Sequence, residues 1–489
     1  MSPGSSVGQS RGKTMSMEYV LLKDGRRFSL DELRSRYSLS IFQVEHFYAV
    51  CEFMAAREAL SPIEHKALVN LYALKSSRVR NLAALAYFLQ TEADTCKRVA
   101  VHEDGIEVLQ AFVPQQSQER VSQGPWRASY ITRATVLFIV FKAVLHRLFR
   151  LFDRASGVSA SMVRGWVDVT ASMYGQEMTD SRVRLYPFPY GVLRQWRFLR
   201  DCRRRGLDVT LSGLPYGAPK VLRMLLSRQP SARLVVAAEV QAYQRYANEL
   251  LAQGVERVYT SDEFEIAAVA LYETLLAQGV SVVNTAHGVG LYAPYVAYSE
   301  FRGVNFAQAD FYRLRYPSLH PQVRAGKNTR LGLGTVDEVR ELPPSIVLID
   351  QNFADFHCLA EAQALNSIRE SLERLSVDCA VPLFVKVHPN SKDEQVERPG
   401  RATLARTWEM LAGYRPIFVT VNSTAWYDVQ GYGPVLVCDE RSFFPEIYFG
   451  SDLERFRLED LESRVQPLFD PARWYDAAKC HERRGVSQS

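Results

Sequence analysis

Ile346-Val-Leu-Ile-Asp350, Pro382-Leu-Phe-Val-Lys-Val387, Ile417-Phe-Val-Thr-Val421 and Val435-Leu-Val-Cys-Asp439 are four short aliphatic, β-branched runs within residues 346–439. Each has the length and β-branched character of a strand. Helical periodicity separates the first three, near Leu359–Leu375 and Ala402–Leu411. Strand alternating with helix predicts a doubly wound parallel sheet.

The same alternation runs upstream from about Arg182. Candidate strands there are Val183–Pro187, Asp208–Ser212, Leu234–Ala237, Val258–Ser261 and Val280–Thr285, with helices at Tyr190–Arg205, Ala218–Arg228 and Gln241–Gln253. Arg340-Glu-Leu-Pro-Pro344 reads as a linker between the two blocks. The expected fold is therefore α/β: two Rossmann-like parallel-sheet domains, residues 156–340 and 341–489, facing each other across a cleft. A mainly helical region, residues 18–155, precedes them. There Leu30–Leu33, Ile41–Arg57, Pro62–Leu74 and Val79–Leu89 carry apolar residues at i, i+3 and i+4. Ser61 is placed to cap a helix whose first residue is Pro62. Residues 1–17 read as a disordered tail, and Gln115–Gly124 as a polar linker.

Composition narrows the function classes. The chain has 489 residues, 47% hydrophobic, and a net charge of only +5 from 59 basic and 54 acidic side chains, so charge names no nucleic-acid partner. Seven scattered cysteines with no CxxC predict reduced thiols rather than a disulfide framework or zinc site. No apolar signal core and no run of 18 apolar residues occur, which predicts a cytoplasmic protein. In Ala134–Arg154, Lys142, His146, Arg150 and Arg154 recur every four residues with Arg147 beside them, on an otherwise apolar sequence. That reads either as an interfacial helix on an anionic membrane surface or as a core helix with one solvated stripe. A second basic stretch, Arg194 to Arg205, reads as a solvated face or as a surface for an anionic acceptor or membrane.

Ligands of doubly wound sheets bind beyond the carboxyl ends of the strands. In the second block those positions are polar. Lys386, His388, Pro389 and Asn390 end one strand, and the proline stops ladder pairing. Asn422, Ser423 and Thr424 stand where the next strand turns toward a helix, where hydroxyls and unpaired N–H groups suit a phosphate. The plainer reading of Ser423-Thr424 is an N-cap. Gln351, in Asp350-Gln-Asn, is placed to touch a nucleotide, although turn formation explains the sequence as well. Glu446 suits a ribose hydroxyl pair or a helix first turn.

The pair Val385-Lys-Val-His-Pro-Asn390 and Val421-Asn-Ser-Thr424 resembles the HP and S/T motifs of bacterial GT-B glycosyltransferases that use CMP-activated sugars, such as sialyltransferases and Kdo transferases. It is also similar to capsule and teichoic-acid polymerases that handle CDP-linked polyols. The resemblance spans roughly residues 180–450 and implies that His388, Ser423 and Thr424 contact the nucleotide phosphates. Asn284-Thr-Ala-His-Gly-Val-Gly290 adds a His-Gly like the one lining the cleft in the capsule-polymerase and Kdo-transferase group, which implies roles for His287 and Gly288. A hydrogen-bonded core histidine with a turn glycine is the alternative there.

Transfer to an acceptor hydroxyl needs a base, commonly a carboxylate. The sialyltransferase pattern places an acidic pair followed by glycine in the first lobe, whereas Ser261-Asp-Glu-Phe-Glu265 lacks the glycine. Asp262 reads as that base or as the N-cap of a helix from about Glu263, and Glu239, at the end of Val235-Val-Ala-Ala-Glu239, is its rival. No DxD stands at a strand end, so no metal and no cofactor are expected. The leading expectation is sugar transfer from a nucleotide donor, CMP foremost, to a cell-surface glycan or glycolipid acceptor. A CDP-polyol phosphotransferase, a nucleotide-sugar epimerase or hydrolase, and an inactive scaffold are the alternatives.

Overall fold

A computed structural model describes residues 18–36, 44–58, 60–113, 118–120, 136–141, 143–144, 148, 161–165, 174, 177, 183–187, 200, 204, 214–227, 232–262, 265–286, 293–303, 306–323, 331, 333–351, 359–388, 402–421, 423, 425–429, 431–438 and 454–486.

The N-terminal region contains the expected helices, Leu30–Arg36, Val44–Ala56, Pro62–Lys75 and Ser77–Thr91, with a further one at Glu103–Phe112. Glu64 reaches back to the Ser61 amide at 3.1 Å ahead of Pro62, so the start signal operates as read. It is not only helical, however. Strands β1 (Tyr19–Leu22), β2 (Arg27–Ser29), β3 (Cys96–Val101) and β4 (Gln118–Arg120) form a sheet in the order β2-β1-β3-β4, and β4 falls inside the expected linker.

The first parallel sheet comprises β5 (Ser161–Gly165), β6 (Val183–Pro187), β7 (Arg257–Thr260), β8 (Ser281–Thr285), β9 (Glu300–Gly303) and β10 (His320–Val323), ordered β6-β5-β7-β8-β9-β10. Every neighbouring pair is parallel. The chain reverses its direction across this sheet between β5 and β7. One expected strand is corrected: Leu234–Ala237 belongs to a 21-residue helix, Ala232–Ala252. Its buried residues include Val235, Val236, Tyr243, Tyr246, Ala247 and Leu250, a helical spacing that a four-residue β-branched window conceals. The expected strand at 208–212 lies outside the described residues.

The second parallel sheet comprises β11 (Pro344–Ile349), β12 (Leu383–Lys386), β13 (Thr403–Ala405), β14 (Arg415–Thr420), β15 (Val435–Cys438) and β16 (Glu454–Phe456). Its order, β13-β12-β11-β14-β15-β16, is the 3-2-1-4-5-6 arrangement of the Rossmann fold. The expected helix at Ala402–Leu411 is instead β13 followed by a 3₁₀ turn at Trp408–Leu411. Side chains alternate between two covered faces: Ile346, Leu348, Ile417, Val419 and Leu436 enter one cluster, and Val347, Ile349, Phe418, Val435 and Val437 the other. Burial of both faces is why these strands read as continuous apolar runs. The Leu359–Asp378 helix covers the first face with Leu365, Ile368, Leu372 and Leu375.

The fold is thus α/β with two Rossmann-like sheets and a mixed, helix-rich N-terminal region. The core of the second block takes in Leu331, Val336 and Val339, upstream of Arg340. The N-terminal region and the first sheet share one apolar cluster, running from Val20 to Leu319.

Candidate functional site

In the second sheet, three adjacent strands end on one rung, because Ile349 pairs with Lys386 on one side and Thr420 on the other. Adjacent strands lie about 4.8 Å apart, so the residues immediately beyond that rung are neighbours. They are Asp350 and Gln351 after β11, His388 after β12, and Ser423 after β14. The reversal of strand order falls between β11 and β14, where such a sheet opens a crevice for its ligand. Pairing carries slightly past the rung, with Asp350 N donating to Lys386 O at 3.0 Å and Val387 N to Ala405 O at 3.1 Å. That pairing fixes the base from which His388, half-buried, emerges.

Asp350 is the group here that the motif reading underrated. Burial pushes its carboxyl above the ordinary aspartate range, against the pull of the Gln351 backbone N–H and the Arg369 charge. The buried Gln351 Oε1 finds no hydrogen-bond partner among the described residues, so it is available to a ligand donor. The sequence signal for Asp350 was present, an acid directly after a buried strand, but turn chemistry explains that placement equally well.

Lys386 turns onto the face of the sheet. Its Nζ donates to Val387 O at 3.2 Å and stands 5.0 Å from the centre of the Trp408 ring. Burial lowers its pKa, while Asp428 and Glu409 oppose that shift. Ser423 is 4% exposed. Its amide donates to Thr420 Oγ1 at 3.3 Å, and its hydroxyl accepts from Ala425 N at 3.4 Å. The helix that follows, Trp426–Val429, has only four residues, so its dipole adds little to an anion site. The turn-stabilising role of Ser423 is therefore present in the structure, with a long hydrogen bond that leaves the hydroxyl lone-pair capacity.

In the first lobe, Asp262 follows β7 and is 1% exposed. Its Oδ2 accepts from Tyr272, and its carbonyl accepts from Asn284 Nδ2 at 2.7 Å and from Tyr298. It is not a helix cap: the next helix is Ile266–Leu276, with Glu265 at its N-cap position. Beside it, the buried Ser261 Oγ and Asn284 Oδ1 find no partner among the described residues. This strand-end polar cluster escaped sequence reading because Asn284 and Tyr298 are distant along the chain. Glu239 stands in the Ala232–Ala252 helix, not at a strand end, and accepts from Tyr216 OH at 3.0 Å. His287, Gly288, Pro389, Asn390, Asn422, Thr424 and Glu446 lie outside the described residues, as do Lys142, Arg147 and Arg150. Among the described residues no group of three His, Cys, Asp or Glu is gathered to hold a metal ion.

No family model matches the chain, and no curated protein matches it. Among solved structures it is similar to a UDP-N-acetylglucosamine 2-epimerase, at 12% identity and TM-score 0.41, over 68% of this chain and 95% of that one. It is also similar to the Methanocaldococcus jannaschii UDP-GlcNAc 2-epimerase in complex with UDP-GlcNAc and UDP, at 12% identity and TM-score 0.40, over 67% of this chain and 99% of that one.

Proposed function

We propose that the chain is an enzyme acting on a nucleotide-activated sugar, whose nucleotide occupies the crevice beyond β11, β12 and β14. The observation that carries this reading is the common rung, Lys386–Ile349–Thr420, which gathers Asp350, Gln351, His388 and Ser423 on three adjacent strands at the switch in strand order. In this reading His388 stabilises or protonates the departing phosphate, Ser423 donates to it, and Gln351 accepts from the nucleotide. The reaction is sugar transfer to a glycan or glycolipid acceptor, with a CMP-linked donor favoured by the VKVHPN and VNST motifs.

A second reading, an epimerase or hydrolase of the same donor, has its own support. Both carboxylates considered as the acceptor-side base are held by tyrosine hydroxyls, Asp262 by Tyr272 and Glu239 by Tyr216. Asp350, whose carboxyl burial raises, stands instead on the nucleotide side.

The deciding experiment has two stages. Thermal stabilisation by CMP, CDP, UDP, GDP and ADP identifies the base, since a ligand raises stability by RT ln(1 + [L]/Kd). The preferred nucleotide sugar is then incubated with and without a glycan acceptor. Turnover that requires acceptor supports transfer. Turnover without acceptor replaces it with the second reading, CMP release from a CDP-polyol selects phosphotransfer, and no stabilisation by any nucleotide removes the proposal.

A further inference from the structure

The groups that follow the rung Lys386–Ile349–Thr420 are a carboxyl, a carboxamide, an imidazole and a hydroxyl, none of them a permanent cation. A sugar nucleotide brings at least one ionised phosphate, whose charge needs an answer. The Lys386 ammonium stands where it can give one. Lys386 is paired in register with Ile349 of β11 and Ala405 of β13. Its Nζ reaches past the rung toward the carboxyl end of β12, donating at 3.2 Å to the carbonyl of Val387, the residue directly before His388. Trp408, which follows β13 at the same end of the sheet, has its ring centre 5.0 Å from that Nζ. A carbonyl and an aromatic face leave donor capacity on an ammonium that carries three N–H groups. Among the described residues no carboxylate pairs with it: Asp428 and Glu409, on the connections after β14 and β13, act through space. Arg369, the cation acting on Asp350 from the Leu359–Asp378 helix, pairs with Glu373 at 3.2 Å. The Lys386 side chain is half-buried, so a ligand can still reach it.

We propose that Lys386 is the phosphate-binding cation of the second lobe. The inference rests on the nucleotide-sugar reading for the identity of the ligand, while the anion site itself can be probed without a nucleotide. It divides the labour at the end of β12, with Lys386 supplying fixed charge and His388 left free to handle a proton. The competing account is a lysine packed on Trp408 for stability alone. The two differ in one measurable respect. Burial already disfavours the ammonium, so an oxyanion that restores its charge is bound more strongly there than at an open surface. Binding then draws on the protonated form. Affinity must fall as pH rises through the lysine pKa, which burial places below the ordinary lysine range. Asp350, Asp428 and Glu409 carry carboxyls at the same end, and His388 an imidazole, so the share that belongs to Lys386 is isolated by substitution. A lysine that only supports the fold gives affinity no such dependence.

The test is calorimetric titration of the full-length protein with inorganic phosphate and, separately, with CDP. It runs from about pH 8.5 to about pH 10, just below the ordinary lysine pKa, where both ligands keep their charge. In the parent protein both affinities should fall across that range. Lys386→Met should weaken both by about 10- to 100-fold at the lower pH, through loss of a hydrogen bond to a charged group, and should flatten the dependence. Lys386→Arg should keep binding and also lose the dependence, because a guanidinium stays charged throughout. If the methionine variant melts early, the parent's own profile and the arginine variant carry the test. A flat parental profile overturns the proposal, as does a folded methionine variant with parental affinity, or a parent that binds neither ligand. Phosphate binding that depends on Lys386, with no gain from the nucleoside of CDP, upholds the cation and removes the nucleotide reading. CDP binding indifferent to Lys386→Met does the reverse.

Discussion

Asp350 couples stability to pH in a direction that can be read from its surroundings. Burial lifts its folded-state pKa above the unfolded value, so its favourable contribution exists in acid and is lost as pH rises through the folded pKa. At neutral pH the ionised carboxylate is a burden. Asp350→Asn should therefore melt at a higher temperature at pH 7 than the parent, with the difference vanishing near pH 4. If the same carboxyl handles a proton in the reaction, turnover should fall by about 10²–10⁴. Urea melts at several pH values, with turnover measured on the same samples, check both. A variant that is stabilised yet fully active makes the burial incidental to catalysis.

His388 and Ser423 separate differently. His388→Ala should lower turnover by about 10²–10⁴. Ser423→Ala should cost about 1 kcal/mol of stability through the lost bond from Ala425 N. If its hydroxyl also donates to a phosphate, nucleotide affinity should weaken by a further 1.5–3 kcal/mol or about that. Calorimetric titration against the same protein's melting curve tells the two roles apart. Normal affinity in the alanine variant leaves the serine a turn-former only.

Among elements, the last helix shows how the second lobe is closed from below. Trp474, on Pro471–Val486, is fully buried and donates its indole N–H to Pro416 O at 2.8 Å at the start of β14. Arg415 stacks nearby, its guanidinium carbon 5.7 Å from the Trp474 ring, and donates to Phe469 O at 2.7 Å. Gly433 makes room for this arrangement: a Cβ there would stand 2.5 Å from Pro416 O and 3.3 Å from the Trp474 ring. Trp474→Ala should destabilise the lobe by about 3–5 kcal/mol, the usual cost of deleting a buried aromatic. Gly433→Ala should also destabilise, because the atom it meets is backbone. Denaturant melts of the two variants measure both, and a Trp474→Ala protein of parental stability would show that the helix is not needed for closure.

Across the whole molecule, the cores divide differently from the motifs. Among the described residues the two apolar clusters of residues 331–486 take in no upstream side chain, and upstream the Leu30–Arg36 helix lies against the outside of Leu359–Asp378, so a fragment of residues 331–489 should fold cooperatively and retain nucleotide affinity. The first sheet has no such independence. Asn70, on the Pro62–Lys75 helix, donates to Tyr295 O at 2.8 Å and accepts from Tyr295 N at 2.9 Å, and the Tyr295 hydroxyl donates to Glu52. Lys66 pairs with Glu273 at 2.9 Å across the same junction. Removing residues 1–113 should therefore leave an insoluble or molten remainder, and Asn70→Ala, by unpairing two part-buried Tyr295 backbone groups, should cost about 1–3 kcal/mol. Limited proteolysis and calorimetry of the truncated and substituted proteins provide the check.

What the sequence by itself determined is the four inner strands of the second lobe, not its edge strands β13 and β16. Its strands are buried on both faces, so Ile346–Ile349 and Ile417–Val421 spell themselves out as continuous apolar runs, and the polar residues that interrupt them mark the carboxyl ends. Strand order was not legible, because hydrogen bonding between β11 and β14 joins segments some 70 residues apart and leaves no local trace. Nor was the first lobe fully legible. The window Leu234–Ala237 has strand chemistry but lies in a helix whose burial pattern appears only over 21 residues. Tertiary structure alone decided that Glu239 stands in a helix, that Asp262 is clasped by Tyr272, Asn284 and Tyr298, and that the N-terminal helices complete the first lobe's core. The reason is common to all three. Local sequence carries propensity and periodicity, whereas a side chain's partners and its solvent are chosen by residues far away along the chain.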